Sequence, residues 1–166
     1  MRKKLFILFC LCQLITISAF TQDHLNIKSV FDKYGKQKGS VLVQLSTDVL
    51  SQGNSKVTYY KSLITEINDE SNNEKSLAII EALEKDIKLG SKISEIKKGG
   101  KLESGNYSFK VKNSNNTYDY ILFKRKSKQL TLIYMRGDFP PDKLDRELKK
   151  LKDLFIYVNN KRIKLH

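Results

Sequence analysis

The spacing of apolar residues along the chain predicts three helices. In each, an apolar residue returns every three or four positions, as on one face of an α-helix. Ser71 to Glu74 has the form of a capping box and predicts the start of the second helix. That helix either ends near Gly90 or continues through Ile93 and Ile96 to Gly99-Gly100. The three stripes are Ile27, Val30, Phe31 and Tyr34; Leu77, Ile80, Leu83 and Ile87; and Leu144, Leu148, Leu151 and Phe155.

Shorter runs of β-branched and aromatic residues predict strands. The last two main strands are joined at Ser127-Lys128 and are apolar on both faces, which is typical of central strands covered on both sides. A small terminal hairpin is predicted around Asn159-Asn160. The five main strands are Val41 to Leu45, Val57 to Ile67, Tyr107 to Val111, Tyr118 to Lys126 and Gln129 to Arg136.

The order of these elements indicates a single α+β domain. Two strands follow the first helix, a three-strand meander follows the second helix, and another helix comes after the meander. This order favours a largely antiparallel sheet of about five strands with two to three helices packed on it.

The first 21 residues have the pattern of a signal peptide. Three basic residues at positions 2–4 precede the apolar run Leu5 to Ile17, and Ala19 and Thr21 supply the small residues of a cleavage site. The run is shorter than the roughly 20 residues needed to span a bilayer. We expect cleavage after residue 21, with residues 22–166 forming one domain in the periplasm or at the cell surface. A retained anchor or a lipidated cysteine is the weaker alternative.

Cysteine and charge limit the chemistry of the mature chain. Cys10 and Cys12 both lie in the apolar run, so cleavage would remove disulfides, thiolate metal sites and cysteine nucleophiles together. The formal charge is +13, and losing three basic residues and no acid with the leader leaves +10. A charge of this size favours anionic partners.

Several segments resemble a family of small secreted Bacteroidota proteins, domain-of-unknown-function 6108. The resemblance implies an exported α+β domain and brings no catalytic residues to this chain. The segments are FDKYGKQKG (Phe31 to Gly39), VQLSTDVL (Val43 to Leu50), YKSL (Tyr60 to Leu63), ILFK (Ile121 to Lys124) and LTLIYMRGDF (Leu130 to Phe139).

The sequence offers little for catalysis. His24 and His166 lie near the ends of the mature chain. Chain ends are usually mobile, whereas a general base or a zinc ligand must be held in a fixed position. Glu103, Asp119 and Asp138 are candidates for a carboxylate pair that hydrolyses glycans, although Asp138 has the setting of a turn residue. No phosphate-binding glycine motif or calcium loop is present, so we predict no cofactor and no metal.

Two groups of residues are candidates for binding. Lys124, Arg125, Lys126 and Lys128 crowd one hairpin tip and could hold an anion, although a solvated charged face is the alternative. Tyr118, Tyr120 and Tyr134 could form an aromatic platform for a sugar or peptide, unless they are core residues; Tyr107 is a further possible neighbour.

We therefore predict a non-enzymatic binding or interaction module. The alternatives are a carboxylate-based glycan hydrolase and an electrostatic binder of anionic envelope components. The expected partner is an envelope protein, a glycan or an anionic lipid, and export argues against nucleic acid.

Overall fold

A computed structural model describes residues 25–52, 54–67, 74–152, 155–158 and 161–164, with side chains described up to Leu151. Its main feature is an antiparallel sheet of six strands, and a separate pair of strands follows near the end of the chain. The strands are β1 (Ser40–Leu45), β2 (Val57–Glu66), β3 (Ser91–Lys98), β4 (Lys101–Lys110), β5 (Tyr118–Lys126), β6 (Gln129–Gly137), β7 (Phe155–Val158) and β8 (Lys161–Lys164). Their order in the large sheet is β1-β2-β6-β5-β4-β3.

Helices cover both faces of the sheet, and the predicted α+β class is confirmed. Face A lies under two of them and carries one apolar cluster, and face B lies under the other two and carries a second. The helices of face A are α1 (Asn26–Tyr34) and α3 (Glu74–Ile87); those of face B are α2 (Thr47–Gln52) and α4 (Leu144–Lys152), the latter preceded by a 3-10 turn at Pro141–Lys143.

The two strands that are apolar on both sides are central, as predicted. β5 and β6 occupy the middle of the sheet order and pair along their full lengths, from Tyr118↔Gly137 to Lys126↔Gln129. Ile121 and Leu132 pack under α1 and α3, whereas Leu122 packs on the opposite face. Burial on both faces explains why alternation is lost in these strands.

The continuation of the second helix through Ile93 and Ile96 is wrong, because these residues lie in β3. β3 is the strand that brings the sheet to six, where about five were predicted. It forms one edge of the sheet and pairs with β4. Gly99 and Gly100 have φ values of 56° and 77°, which suit a two-residue hairpin turn. Two register shifts along β3 disturb its alternation, so the sequence shows no period of two there.

The predicted apolar stripe of the second helix is also partly wrong. Leu77 is 55% exposed, whereas the buried face of α3 includes the polar residues Ser76 and Asp86 beside Ile79 and Leu83. The predicted cap at Ser71 lies outside the described residues, as does the turn Asn159-Asn160 between β7 and β8. Phe155 was expected at the end of the last helical stripe, and it begins β7 instead.

Asp86 is buried because it caps α1 from a distance. Its Oδ1 accepts hydrogen bonds from the Asn26 backbone N–H at 2.8 Å and the Asn26 side-chain amide at 2.7 Å, and its Oδ2 accepts one from the Ile27 N–H at 2.8 Å. The residue before α1, Leu25, provides no side-chain cap of its own. The carboxylate therefore satisfies amides that a helix start leaves open and fixes α1 against α3.

Candidate functional site

A pocket of about 380 Å³ opens between α1 and face A of the sheet. Its volume lies within the range of small-molecule sites, roughly 300–1,000 Å³. Helix α1 forms one wall, and β2 and β6 form the other. The lining residues are Lys28, Phe31, Asp32, Tyr59, Lys61, Tyr134 and Arg136.

Cations and tyrosines alternate on the sheet wall of this pocket. In the antiparallel register of β2 and β6, Lys61 lies opposite Tyr134 and Tyr59 lies opposite Arg136. Every second residue of a strand points to the same face, so all four side chains share face A. The Tyr59 and Tyr134 rings are tilted by 57° with centroids 5.6 Å apart. The result is a small aromatic surface with a cation beside each ring.

Helix α1 adds a third cation and a third ring. Lys28, Phe31 and Asp32 are three and four positions apart and therefore share one side of the helix. The Lys28 ammonium lies 5.2 Å from the centroid of the Tyr134 ring, and the Lys61 ammonium lies 5.5 Å from that of Phe31. Both separations are in the range of cation–π attraction, which holds the ammonium groups near the pocket wall.

Asp119 fixes the position of Arg136 from the neighbouring strand. Its carboxylate accepts hydrogen bonds from the Arg136 Nε at 2.6 Å and Nη2 at 2.9 Å, and from the Tyr134 hydroxyl at 2.9 Å. These bonds to the carboxylate raise the pKa of the Arg136 guanidinium, while burial, and then the negative charge of Asp119, raise the pKa of Tyr134. Arg136 therefore stays charged and Tyr134 stays protonated across the physiological range.

The pocket carries an excess of positive charge. Three cations and one carboxylate line it, and that carboxylate, Asp32, pairs with Lys61 at 3.1 Å while its own side chain is 78% exposed. With Asp119, which pairs with Arg136, the excess is one positive charge. Asp32 approaches from solvent, whereas the Lys61 side chain is only 15% exposed, so another anion can take the place of Asp32 beside Lys61. The bidentate pair with Asp119 uses the Nε and Nη2 edge of Arg136, so its Nη1 hydrogens are not engaged in that pair.

The three tyrosines predicted as a platform do not lie together. Tyr118 and Tyr120 are on face B, and Tyr134 is on face A, because Tyr134 pairs with Ile121 and not with an even-numbered residue of β5. Tyr120 is buried, donates its hydroxyl to the Phe139 carbonyl and stacks on the Phe139 ring at 4.8 Å. Tyr107 is buried on face A and donates to Glu95. Of the predicted set, Tyr134 lines the pocket, and its ring neighbour there is Tyr59.

The basic hairpin tip is split between the surface and the interior. Lys124, Lys126 and Lys128 are exposed. Arg125 is 8% exposed, points beneath α3 and donates a long 3.4 Å hydrogen bond from Nη2 to the Ser76 hydroxyl. Its Nε is buried without a hydrogen-bond partner among the described atoms. Arg125 therefore does not belong to the exposed group, because strand alternation turns it toward face A.

The predicted carboxylate pair is not assembled at this pocket. Asp119 is committed to Arg136 and Tyr134, as described above. Asp138 accepts a hydrogen bond from the Thr117 hydroxyl at 2.6 Å and so ties the β4–β5 loop to the end of β6, which is the turn role that its sequence setting suggested. Glu103 is partly buried on β4, toward the other end of the sheet.

Two other buried carboxylates are structural. Asp86 caps α1, and Glu147 is fully buried on α4. Burial alone would raise the pKa of Glu147, but hydrogen bonds from the Lys56 backbone N–H at 2.9 Å, the Lys150 ammonium at 3.0 Å and the Ser55 hydroxyl lower it overall. These bonds hold α4 on the segment that leads into β2.

Within the described ranges, no group of three or more His, Cys, Asp or Glu side chains is placed to hold a metal ion. No helix in the same ranges is long and apolar enough to cross a membrane. His24 and His166 fall outside the described residues.

The sequence reasoning missed five of the residues that line this pocket: Lys28, Asp32, Tyr59, Lys61 and Arg136. For Arg136, two signals were available. The tight turn at Ser127-Lys128 fixes the β5–β6 register and places Asp119 opposite Arg136. A carboxylate and a guanidinium facing each other within two otherwise apolar strands are a sign of a built polar site. No comparable local signal in the sequence predicts that α1 packs over β2 and β6.

The chain was compared with known proteins. No curated protein matches it. A family model matches residues 14–148, which include all of the pocket residues and the whole six-stranded sheet. The chain belongs to the DUF6108 family, a family of unknown function.

Proposed function

We propose that the chain is an exported, non-enzymatic binding module whose pocket holds a small anionic ligand with a ring or other apolar face. One observation carries this proposal: Lys28, Lys61 and Arg136 surround the Tyr59 and Tyr134 rings in a pocket of about 380 Å³. Cationic and aromatic side chains that line one pocket can hold a charged group beside a flat one.

The cations of the pocket are positioned to bind an anion. Arg136 is oriented by Asp119 before any ligand arrives, so binding loses little side-chain freedom there. Lys61 needs only to exchange an exposed partner, Asp32, for the ligand. A carboxylate beside a pyranose ring, as in an acidic glycan fragment, satisfies the cations and the tyrosines together. This ligand belongs to the glycan class expected from the sequence.

The alternative of a carboxylate-based glycan hydrolase has less support. Such an enzyme needs one carboxyl group that can donate a proton and a second across the scissile bond. Both oxygens of Asp119 accept from Arg136, and one also accepts from Tyr134. The carboxylate that lines the pocket, Asp32, is mostly exposed and pairs with Lys61. These carboxylates position cations and are poorly placed to transfer protons.

Export is part of the proposal and is supported by the signal-peptide pattern of residues 1–21. Location in the periplasm or at the cell surface gives the module access to envelope glycans. Mass spectrometry of the native protein tests this directly. A terminus near Gln22 in the extracytoplasmic fraction is expected, and an intact Met1 in the cytosol would contradict it.

The ligand class can be tested by NMR titration with glucuronate and, as a neutral match, glucose. Glucuronate should shift the amide signals of Tyr59 and Tyr134 in a saturable way, and glucose should not. The double variant Lys28→Gln, Lys61→Gln should weaken glucuronate binding at least tenfold. The control Lys85→Gln, Lys88→Gln, at exposed positions at the end of α3 and just after it, should stay within twofold. Equal shifts with glucose, or equal binding by both variants, would refute the anionic pocket.

A further inference from the structure

The β3–β4 and β5–β6 hairpins of the sheet turn at the same end. Ser104 of β4 pairs with Lys124 of β5, so the start of β4 lies level with the end of β5. The β3–β4 turn at Gly99-Gly100 and the β5–β6 turn at Ser127-Lys128 therefore stand side by side. This placement follows from the strand order, and the sequence alone did not reveal it.

Lysines are concentrated on these two turns. All six lysines of the pair of tips are exposed, and we call them the lysine tip surface: Lys97, Lys98, Lys101, Lys124, Lys126 and Lys128. With strands about 4.8 Å apart, the centres of the two hairpins are separated by about 10 Å. That distance does not exceed the Debye length at 0.1 M salt, about 10 Å, so the charges of the two tips still reinforce each other. One of these lysines, Lys97, is paired with Glu95 at 3.2 Å.

An apolar side chain is exposed among these charges. Ile96 is 62% exposed and Ile93 is 37% exposed on β3, which forms the edge of the sheet beside the tip. Exposed isoleucines gain from contact with the acyl boundary of a bilayer, while lysines gain from its phosphate headgroups. Binders of single-stranded nucleic acid and of glycans commonly use aromatic side chains for stacking, and segments 96–102 and 124–129 contain none.

We propose that the lysine tip surface docks the protein on a membrane that contains anionic phospholipid. Lysine supplies point charges with no fixed geometry, which suits a fluid layer of headgroups better than a defined ligand. The pocket described above lies on the other half of the sheet: Tyr134 is five residues beyond Gln129, roughly 17 Å at 3.3 Å per residue. A protein docked by its tips keeps that pocket open to solvent, and the docking does not depend on what the pocket binds.

Co-sedimentation of the mature protein with phosphatidylcholine vesicles, with and without 30% phosphatidylglycerol, tests the docking. Binding should require phosphatidylglycerol and should fall at least tenfold between 50 and 300 mM salt. The variant Lys98→Gln, Lys126→Gln, Lys128→Gln should lose at least tenfold in affinity. The control Lys88→Gln, Lys110→Gln, Lys112→Gln removes the same charge from exposed sites elsewhere and should stay within twofold.

Two further variants distinguish lipid docking from general polyanion binding and from binding through the pocket. Ile96→Ser should weaken vesicle binding at high salt while leaving heparin and single-stranded DNA binding unchanged. The pocket variant Lys28→Gln, Lys61→Gln should bind vesicles like the wild type. The proposal for the pocket and the proposal for the docking surface can therefore be refuted independently. Equal losses of vesicle affinity in the tip and control variants would show that binding depends on net charge alone, and this would overturn the proposal. Tip-dependent binding to DNA or heparin without vesicle binding would overturn the lipid assignment.

Discussion

Removal of the Asp86 carboxylate should loosen α1 and with it one wall of the pocket. In Asp86→Ala the hydrogen bonds to the Asn26 and Ile27 backbone amides are lost; Asp86 and Ile27 have no solvent exposure, whereas Asn26 is exposed. A buried unsatisfied amide costs about 1–3 kcal/mol. The lost interaction of the carboxylate with the helix dipole adds about 0.3–1 kcal/mol. We expect the free energy of unfolding to fall by about 3–4 kcal/mol.

Urea unfolding at pH 7, followed by circular dichroism, measures this change. With an m-value of about 2 kcal/mol/M, the midpoint should fall by about 1.5–2 M. Asp86→Asn keeps the size of the side chain but loses the charge and one acceptor, so its midpoint should lie between those of the wild type and Asp86→Ala. Asp145→Ala, an exposed carboxylate on α4, is the control and should change stability by less than about 0.5 kcal/mol.

Hydrogen exchange gives a local readout for the same variants. Amides of α1 from Lys28 onward should exchange faster in Asp86→Ala under native conditions, ahead of those in the central strands. An Asp86→Ala midpoint within about 0.3 M of the wild type would refute the reasoning that α1 is held by a remote cap.

Three other substitutions test separate parts of the structure. Glu147→Gln should lower stability by about 2 kcal/mol at pH 7 through weakened charged hydrogen bonds. Since the Glu147 pKa lies below its ordinary 4.5, its contribution is present above that pH and is lost as the pH falls through the lower folded value. The urea midpoints of the two proteins should therefore differ at pH 7 and converge as the pH is lowered below 4.5. Gly137→Ala places a Cβ against the buried Phe139 ring and should cost about 1–3 kcal/mol by thermal unfolding, and an unchanged melting temperature would contradict this contact. Arg125→Met replaces a buried, incompletely paired cation and should leave the urea midpoint unchanged or raise it, whereas a loss of several kcal/mol would show that its bond to Ser76 is strong.

The elements of the fold that could be predicted share strong local patterns. β5 and β6 are continuous apolar runs joined by a two-residue turn, and this signal requires no knowledge of the rest of the chain. The prediction of β3 failed for the opposite reason. This strand is a mostly exposed edge strand with two register shifts, so it has no buried face to impose alternation. Ile93 and Ile96 then stand at a spacing that also fits a helix.

The candidate site was predicted less well than the fold because its residues come from three separate segments. Tyr134 was singled out from composition, but it was grouped with Tyr118 and Tyr120, which the register places on the other face. Lys28 and Lys61 resemble ordinary surface lysines in the sequence. Their significance depends on the position of α1 over β2 and β6, which no local pattern specifies.

The sequence by itself determined the class of the fold, the two central strands and the excess of positive charge, because these follow from local periodicity and residue counts. The tertiary structure decided which face each side chain occupies and which segments meet. Alternation reverses with a shift of one residue, so Arg125 is turned inward while Lys124 and Lys126 are exposed. Strand order is set by packing between distant segments. It brings two hairpin tips to one end of the sheet and assembles the pocket beneath α1.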